Sequence, residues 1–180
     1  MRYLVLLISI FILTNFAQAH DGIFLKFSLG PGLMYENSSI NELGFILPAK
    51  NHALGYGFKE KYALYISDFG GLVHKKVGEY NYINLDAVGL GFTSYISSNI
   101  SLSFSVAQGE VAFAKKWTEA TGKDKEKGIA LGLSADKEWI VSKHFSFCLS
   151  TVSSFFKTKK YEFSTFSINC SLLFYLTTLD

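Results

Sequence analysis

Apolar and polar residues alternate along much of this chain, and the clearest example lies near its start. Every odd-numbered residue from Ile23 to Tyr35 is apolar or aromatic, whereas five of the seven even-numbered residues from Phe24 to Glu36 are small, polar or charged. A period of two places successive side chains on opposite faces of a β-strand, and an α-helix does not produce it. The pattern predicts a strand over 23–35, with a local break or bulge at Pro31.

Four further segments show the same alternation, and three show it in part. Large apolar residues take one parity, and mostly small or polar residues take the other, at 100–107, 128–135, 145–150 and 165–176. The weaker candidates are 52–58, 62–73 and 82–95. The last two change parity, from Leu64 and Ile66 to Phe69 and Val73, and from Ile83 and Leu85 to Val88, Leu90 and Phe92. A one-residue bulge would explain each change. The sum is eight strands, an even number typical of the smallest transmembrane barrels.

The predicted connections alternate between long and short. Long polar segments at 36–51, 74–81, 115–127 and 157–162 alternate with tight turns at 59–61, 97–99 and 141–143. Outer-membrane barrels have longer loops outside the cell and short turns in the periplasm. The alternation therefore predicts a barrel whose N-terminus is periplasmic.

The composition agrees with a barrel that spans a membrane. Of the 180 residues, 49% are hydrophobic, 16% are aromatic and 18% are charged. The charged fraction is below the roughly 25% of soluble domains, and a chain this apolar would not stay disordered. After residue 19, no apolar run reaches the length of a spanning helix. A closed β-barrel is the other structure that satisfies every backbone polar group in lipid.

The first nineteen residues have the pattern of a cleaved secretory signal. Arg2 precedes an apolar run over 4–13, and Ala17-Gln18-Ala19 provides a cleavage site. The alternative, an uncleaved anchor, is disfavoured because the run is too short to span. Cleavage leaves residues 20–180 as one barrel domain, with 16 Lys against 15 acidic residues. A chain so close to neutral is not expected to bind nucleic acid.

Three stretches carry a family resemblance: Gly22–Gly32, Gly89–Tyr95 and Asp136–Ser142. Their alternating glycines and aromatic residues resemble the bacterial outer-membrane β-barrel domain proteins of the small OmpA/OmpX-like group. The resemblance implies an all-β, eight-stranded antiparallel up-and-down barrel in the outer membrane and implies no reaction. It also implies insertion by the barrel-assembly machinery, which reads a terminal aromatic residue in many such barrels, whereas this chain ends at Asp180.

Several polar residues share the parity that faces the interior of such a barrel. An eight-stranded barrel is just wide enough for side chains to fill. We therefore expect an internal polar network rather than a conducting pore, formed by Lys26, Asp86, Asp136 and Glu138. Aromatic residues next to two of the short turns suit a girdle at the periplasmic interface, and these are Tyr95, Trp139 and Phe145.

Lysines are concentrated in the predicted outside loops. One interpretation is that they are simply solvated, and the other is that they contact the anionic phosphates of lipopolysaccharide. The candidates for this contact are Lys115, Lys116, Lys157, Lys159 and Lys160.

The residues that could carry chemistry do not form a recognisable site. Folding the last hairpin about 157–162 places Cys148 on the lumen side and Cys170 on the lipid side, so no disulfide is expected. His144 and Ser146 have the His-x-Ser spacing of outer-membrane lipid A deacylases, with Glu138 on the same parity. The rest of that family's motif is missing, so we expect no catalytic residues. No metal-ligand spacing or cofactor motif occurs either.

Three whole-protein interpretations follow. The favoured one is a monomeric integral outer-membrane barrel with a structural or loop-mediated interaction role, whose partners are membrane lipid and lipopolysaccharide. The first alternative is a secreted, soluble, lipocalin-like barrel that binds an apolar ligand. The second is a lipid A-modifying membrane hydrolase. The parity of the apolar residues separates the first two, because a soluble barrel is apolar inside and polar outside.

Overall fold

The described residues form one closed barrel of eight strands, each antiparallel to its neighbours. The computed structural model describes residues 21–37, 43–59, 61–77, 79–97, 99–116 and 124–176, and the predicted signal peptide lies outside these ranges. None of the described residues forms a helix long and apolar enough to cross a membrane. The predicted fold class is confirmed. The strands are β1 (Gly22–Glu36), β2 (Leu43–Phe58), β3 (Tyr62–Val77), β4 (Tyr80–Ser97), β5 (Ile100–Ala114), β6 (Asp124–Ser142), β7 (Phe145–Thr158) and β8 (Glu162–Tyr175).

We call the end of the barrel at which β1 ends and β2 begins the loop end, and the opposite end the turn end. Pairing between β1 and β8 closes the ladder, with Leu25 opposite Phe174 and Tyr35 opposite Ser164. Closure leaves no unpaired sheet edge, which is the condition for strands to cross lipid.

The outer surface carries a continuous belt of apolar side chains. Starting at Leu25, the paired residues on successive strands are Leu54, Ile66, Leu90, Val106, Leu131, Phe155 and Ser164, and the row returns to β1 at Tyr35. All but Ser164 are apolar or aromatic. The row rises ten residues along β1 in one circuit (25 to 35), which is the stagger of a tilted barrel. Four of these side chains are about half exposed or more, namely Leu54, Ile66, Leu90 and Val106.

The pairing of the last hairpin agrees with the predicted register. Lys157 lies opposite Glu162, Cys148 opposite Ser171 and Leu149 opposite Cys170. Both cysteines are free, with Cys148 buried and Cys170 exposed. The two thiols therefore lie on opposite sides of one wall, as the sequence predicts.

The predicted long loops are wrong in extent, because the strands continue into them. β2 begins at Leu43 rather than at 52, and β3 reaches Val77. A register shift opposite Pro31 explains why this is hard to predict: Gly30 pairs with Ala49, but Gly32 pairs with Ile46. The extra residue lies in β2, and it reverses the parity there, so that a strict period-two pattern ends too early. In the same way, β6 and β7 include residues 124–127 and 157–158.

The bulges predicted within β3 and β4 are also wrong. The two strands pair without a shift from Tyr62 opposite Ser94 to His74 opposite Tyr82. The apolar residues change parity because the loop-end half of the lumen is itself apolar. Its buried side chains form a cluster that we call the apolar plug: Met34, Ile46, Phe69, Val73, Ile83, Leu85, Val111, Phe113, Phe156 and Phe163, with small residues between them.

The packing of the lumen can be tested at Gly91, which lies against the ring of Tyr65. A Cβ at Gly91 would lie 2.2 Å from ring atoms of Tyr65, whereas a Cβ at Gly132 would lie 3.3 Å from its nearest neighbour, the ring of Phe69. We expect Gly91→Ala to lower the free energy of unfolding by about 2 kcal/mol, because overpacking displaces a buried aromatic ring. Gly132→Ala should stay within about 1 kcal/mol of the parent, since it also reduces the freedom of the unfolded chain.

Urea unfolding of the refolded barrel in detergent micelles measures both changes. Equal effects of the two substitutions would contradict the packing described for Tyr65.

Candidate functional site

The lumen below the apolar plug contains a buried ion pair. The ammonium Nζ of Lys26 on β1 lies 2.5 Å from Oδ1 of Asp136 on β6, and both side chains are at most a tenth exposed. Period-two alternation puts both residues on the inner face, where four strands separate them in sequence but not across the narrow lumen. Of the four predicted network residues, the structure brings these two into direct contact.

Serine hydroxyls complete the surroundings of this pair. Ser150 donates a hydrogen bond to Asp136, and its Oγ lies 3.1 Å from that of Ser171. Ser171 in turn donates to Ser28 across the β1–β8 closure, at 2.8 Å. Ser150 donates to the same oxygen of Asp136 that Lys26 contacts, and the other oxygen, Oδ2, accepts from the hydroxyl of Ser134 at 3.4 Å. A buried charge requires such partners.

Glu138 lies beside this network but has a different partner. The hydroxyl of Tyr175 donates to its carboxylate at 2.6 Å, and Tyr95 makes a side-chain hydrogen bond to Tyr175. Tyr95 is therefore a lumen residue, and its assignment to the outer girdle is wrong, because the odd-numbered residues of β4 from Ile83 to Tyr95 face inward. Trp139 and Phe145 do face outward at the turn end, where their rings lie 6.0 Å from Phe147 and 5.3 Å from Phe174.

Asp86 does not belong to the internal network. Its carboxylate is 40% exposed and lies 2.7 Å from Nζ of Lys50 on the outer wall. The lumen assignment rested on the bulge predicted in β4. Without that bulge, Asp86 shares its parity with Val88 and Leu90, which face outward.

The interior is packed rather than hollow. A cavity of about 30 Å³ lies next to Lys26 and Asp136 and is also lined by Tyr65, Tyr95 and Cys148. That volume suits one or two water molecules, since each needs roughly 10–15 Å³ on this measure. Above it, Phe69 and Phe156 of the apolar plug meet with ring centroids 5.9 Å apart. The lumen at this point is thus filled by side chains, and the cavity is too small for an organic ligand.

The five candidate lysines all lie at the loop end, and three of them pair with glutamates. Nζ of Lys115 lies 2.5 Å from Glu79, that of Lys157 lies 2.5 Å from Glu162, and that of Lys160 lies 3.0 Å from Glu126. Lys116 and Lys159 are exposed in the connections that follow β5 and β7. The sequence pattern identifies these lysines but not their glutamate partners, because Glu79, Lys115 and Lys160 lie in connections, whose contacts strand alternation does not predict.

His144 and Ser146 do not form a nucleophile and base. Nδ1 of His144, on the exposed turn, lies 3.2 Å from the backbone carbonyl of Tyr175. Ser146 is fully buried in the lumen, and its hydroxyl has no hydrogen-bond partner among the described residues. A serine without a bonded base is not activated for attack.

Solved structures provide a comparison for this geometry. Neisserial surface protein A is similar with a TM-score of 0.66 and 10% identity, over 86% of this chain and 97% of that one. The attachment invasion locus protein Ail of Yersinia pestis, solved with the heparin analogue sucrose octasulfate, is similar with a TM-score of 0.55 and 13% identity, over 85% and 99%. This chain has the fold of the small eight-stranded outer-membrane barrels. No protein-family model matches it. No curated protein sequence matches it either.

The stability of a small barrel depends on how its buried charges are paired. A substitution of Lys26 tests this dependence. We expect Lys26→Met to lower the free energy of unfolding by about 3–5 kcal/mol, because it leaves Asp136 charged and buried without its cation. The double change Lys26→Met and Asp136→Asn should recover most of that loss. Urea unfolding in detergent micelles measures both.

The control is Lys157→Met, which removes one partner of an exposed ion pair at the loop end. It should change stability little, because exposed pairs are screened by water. If the Lys26 variant were as stable as this control, the result would contradict a buried pair of charges between Lys26 and Asp136.

Proposed function

We propose that this protein is an integral barrel of the bacterial outer membrane, exported through its N-terminal signal, with a structural or loop-mediated role in the cell envelope. The observation that carries the proposal is the belt of apolar side chains around the outside of a closed barrel. Leu90 is 72% exposed, Ile66 54% and Phe104 45%, although a soluble barrel would bury such residues.

The contents of the lumen favour this role over the alternatives. A lipocalin-like carrier needs an interior with room for an apolar ligand. Here the polar half of the lumen is filled by the Lys26–Asp136 pair and its serines, and the other half by the apolar plug. The same packing argues against a conducting pore. The separation of His144 from a buried, unbonded Ser146 argues against a lipid A hydrolase.

The five candidate lysines at the loop end support lipopolysaccharide as the partner in this proposal. In the proposed orientation the loop end faces the outside of the cell, on the side of the lipopolysaccharide phosphates. Charge-assisted hydrogen bonds from lysine to phosphate are among the stronger polar contacts. Ail, which shares this fold, was solved with a polysulfated molecule. In this proposal the protein is a monomer, assembled into the membrane by the barrel-assembly machinery, and its loop end is the surface that interacts.

The first test of the proposal is heat-modifiability in isolated outer membranes. We expect the protein in that fraction, and we expect unboiled samples to migrate differently from boiled ones in a detergent gel, because a closed ladder resists detergent until it is heated. Recovery from the soluble periplasm with no shift in mobility would overturn the proposal.

The second test concerns the lysines at β7–β8. We expect the triple change Lys157→Gln, Lys159→Gln and Lys160→Gln to weaken lipopolysaccharide binding by the refolded barrel about tenfold, if each exposed charge contributes about 0.5 kcal/mol. Titration of purified lipopolysaccharide measures the loss.

The matched control changes three lysines at the turn end, Lys59, Lys61 and Lys143, to glutamine. It removes the same charge from the side that faces the periplasm in the proposed orientation. Equal losses in both triple variants, or none in either, would contradict a specific contact at the loop end.

A further inference from the structure

A lysine lies within the apolar belt, near the turn end of β6. Asp136 and Glu138 are buried in the lumen, so Lys137 between them faces outward. Its partners in the ladder are Ile100 on β5 and Leu149 on β7, and both of these side chains are 42% exposed on the outer wall. Lys137 therefore has an apolar neighbour on each side.

The belt continues on the turn side of Lys137. Trp139, the next outward residue of β6, lies opposite Phe147, and their ring centroids are 6.0 Å apart. Phe145 follows on β7, with its ring 5.3 Å from that of Phe174. An ionisable side chain at such a position is costly in lipid and as a rule marks a functional site.

No carboxylate on the neighbouring outer wall balances Lys137. Within the described part of the chain, its side chain forms no ion pair. The adjacent stretches at this end of the barrel contain no charged residue, and these are 100–104 of β5, 145–149 of β7 and 172–176 of β8. The outward carboxylate of β5, Glu110, lies opposite Lys127, which is ten residues from Lys137 along β6.

A second lysine lies at the tip of the same hairpin. β6 ends at Ser142 and β7 begins at Phe145, so Lys143 and His144 form the connection. The backbone N–H of His144 donates to Oγ of Ser142 at 3.3 Å, which holds the turn. Lys143 is exposed and forms no ion pair with another described residue. We call Lys137, Trp139 and Lys143 together the basic hairpin end.

We propose that the basic hairpin end binds an anionic phospholipid, such as phosphatidylglycerol, in the leaflet that faces the periplasm. The inference rests on the proposed function, which puts the turn end on that side and lipopolysaccharide at the opposite end. A lysine in the belt extends its ammonium group along the wall toward the nearer interface. Lys137 thus meets the phosphate beside Trp139, the head group points toward Lys143, and the acyl chains lie along the belt toward the loop end.

The charge of the basic hairpin end selects an anionic lipid over a zwitterionic one. Phosphatidylethanolamine has an ammonium group beyond its phosphate, and in this position that group would face Lys143. Phosphatidylglycerol has an uncharged glycerol there, so its net negative charge is attracted by both lysines. The two lipids share the same phosphate and acyl chains, and the difference between them therefore isolates the effect of Lys143.

The test uses the full chain, refolded in an uncharged detergent and titrated with phosphatidylglycerol or phosphatidylethanolamine of identical acyl chains. Native mass spectrometry reports the fraction of barrels that retain a lipid. We expect about tenfold tighter retention of phosphatidylglycerol, because two lysines attract its net charge. Lys137→Gln with Lys143→Gln should abolish this preference. Lys137→Arg with Lys143→Arg should preserve it, since both positive charges remain.

The matched control uses the turn between β2 and β3. Lys59→Gln with Lys61→Gln removes the same charge from the turn end, but the outward residues nearest that turn include Tyr56 and Leu64 rather than a lysine in the belt. We expect this variant to keep the preference of the parent for phosphatidylglycerol.

A second measurement locates the bound lipid. Trp117 and Trp139 are the two tryptophans of the sequence, so a Trp117→Phe background leaves Trp139 as the fluorescent reporter. We expect phosphatidylglycerol brominated on its acyl chains close to the glycerol to quench Trp139 at about tenfold lower concentration than the matching phosphatidylethanolamine. The double glutamine variant should remove this difference.

Three results overturn the proposal: equal retention of the two lipids by the parent protein, an unchanged preference in the variant that lacks Lys137 and Lys143, or an equal loss of preference in the β2–β3 control. Equal quenching of Trp139 by the two brominated lipids also overturns it. A heat-dependent gel shift of the same samples reports the closed barrel separately. A barrel that shifts on heating but shows no lipid preference therefore refutes the lipid site and leaves the proposed function intact.

Discussion

The pairing of β1 with β8 is the constraint on which the rest of this structure depends. Once the ladder closes, every strand has two neighbours and no backbone edge is left open, and this frees the outer face to be apolar. Closure at eight strands also fixes a lumen so narrow that side chains from opposite walls touch. Lys26 on β1 reaches Asp136 on β6, and Phe69 on β3 reaches Phe156 on β7. The interior is therefore a core with a required volume and charge balance, and it is subject to the same packing rules as a soluble protein.

This core explains where the sequence could be interpreted correctly and where it could not. The strand count, the parity of β1 and the register of the last hairpin were all predictable, because each rests on local alternation. The parity changes at Phe69 and Val88 had two physical explanations, a bulge or an apolar lumen, and alternation alone does not distinguish them. Choosing the bulge moved Asp86 to the wrong side of the wall. The irregularity predicted at Pro31 is confirmed, but its extra residue belongs to the partner strand β2, and alternation within β1 does not show this.

The candidate site was predictable only in its parts. Lys26, Asp136 and Glu138 were placed on the inner face by parity, but their partners depend on contacts across the lumen. Tyr95 shows the same limit: its position beside a turn suggests a girdle, whereas its side chain turns inward toward Tyr175. The glutamates that pair with the loop-end lysines, and the two aspartates that flank Lys50, come from other strands or from connections. Such groups become visible only when the pairing of the strands is known.

The two aspartate–lysine groups of this barrel differ in how their charges are balanced. Around Lys26, one cation meets one carboxylate, the hydroxyl of Ser150 donates to the same carboxylate oxygen, and both side chains are buried, so the group is complete within the chain. Around Lys50, two carboxylates share one cation on the outer face. On the next strand Glu110 lies opposite Asp86 and pairs with Lys125, so the outer charges form a network over several strands. A buried charge needs its partner within the chain, because leaving it unpaired in the lumen costs several kcal/mol, whereas a partly exposed charge can be shared among several neighbours at little cost.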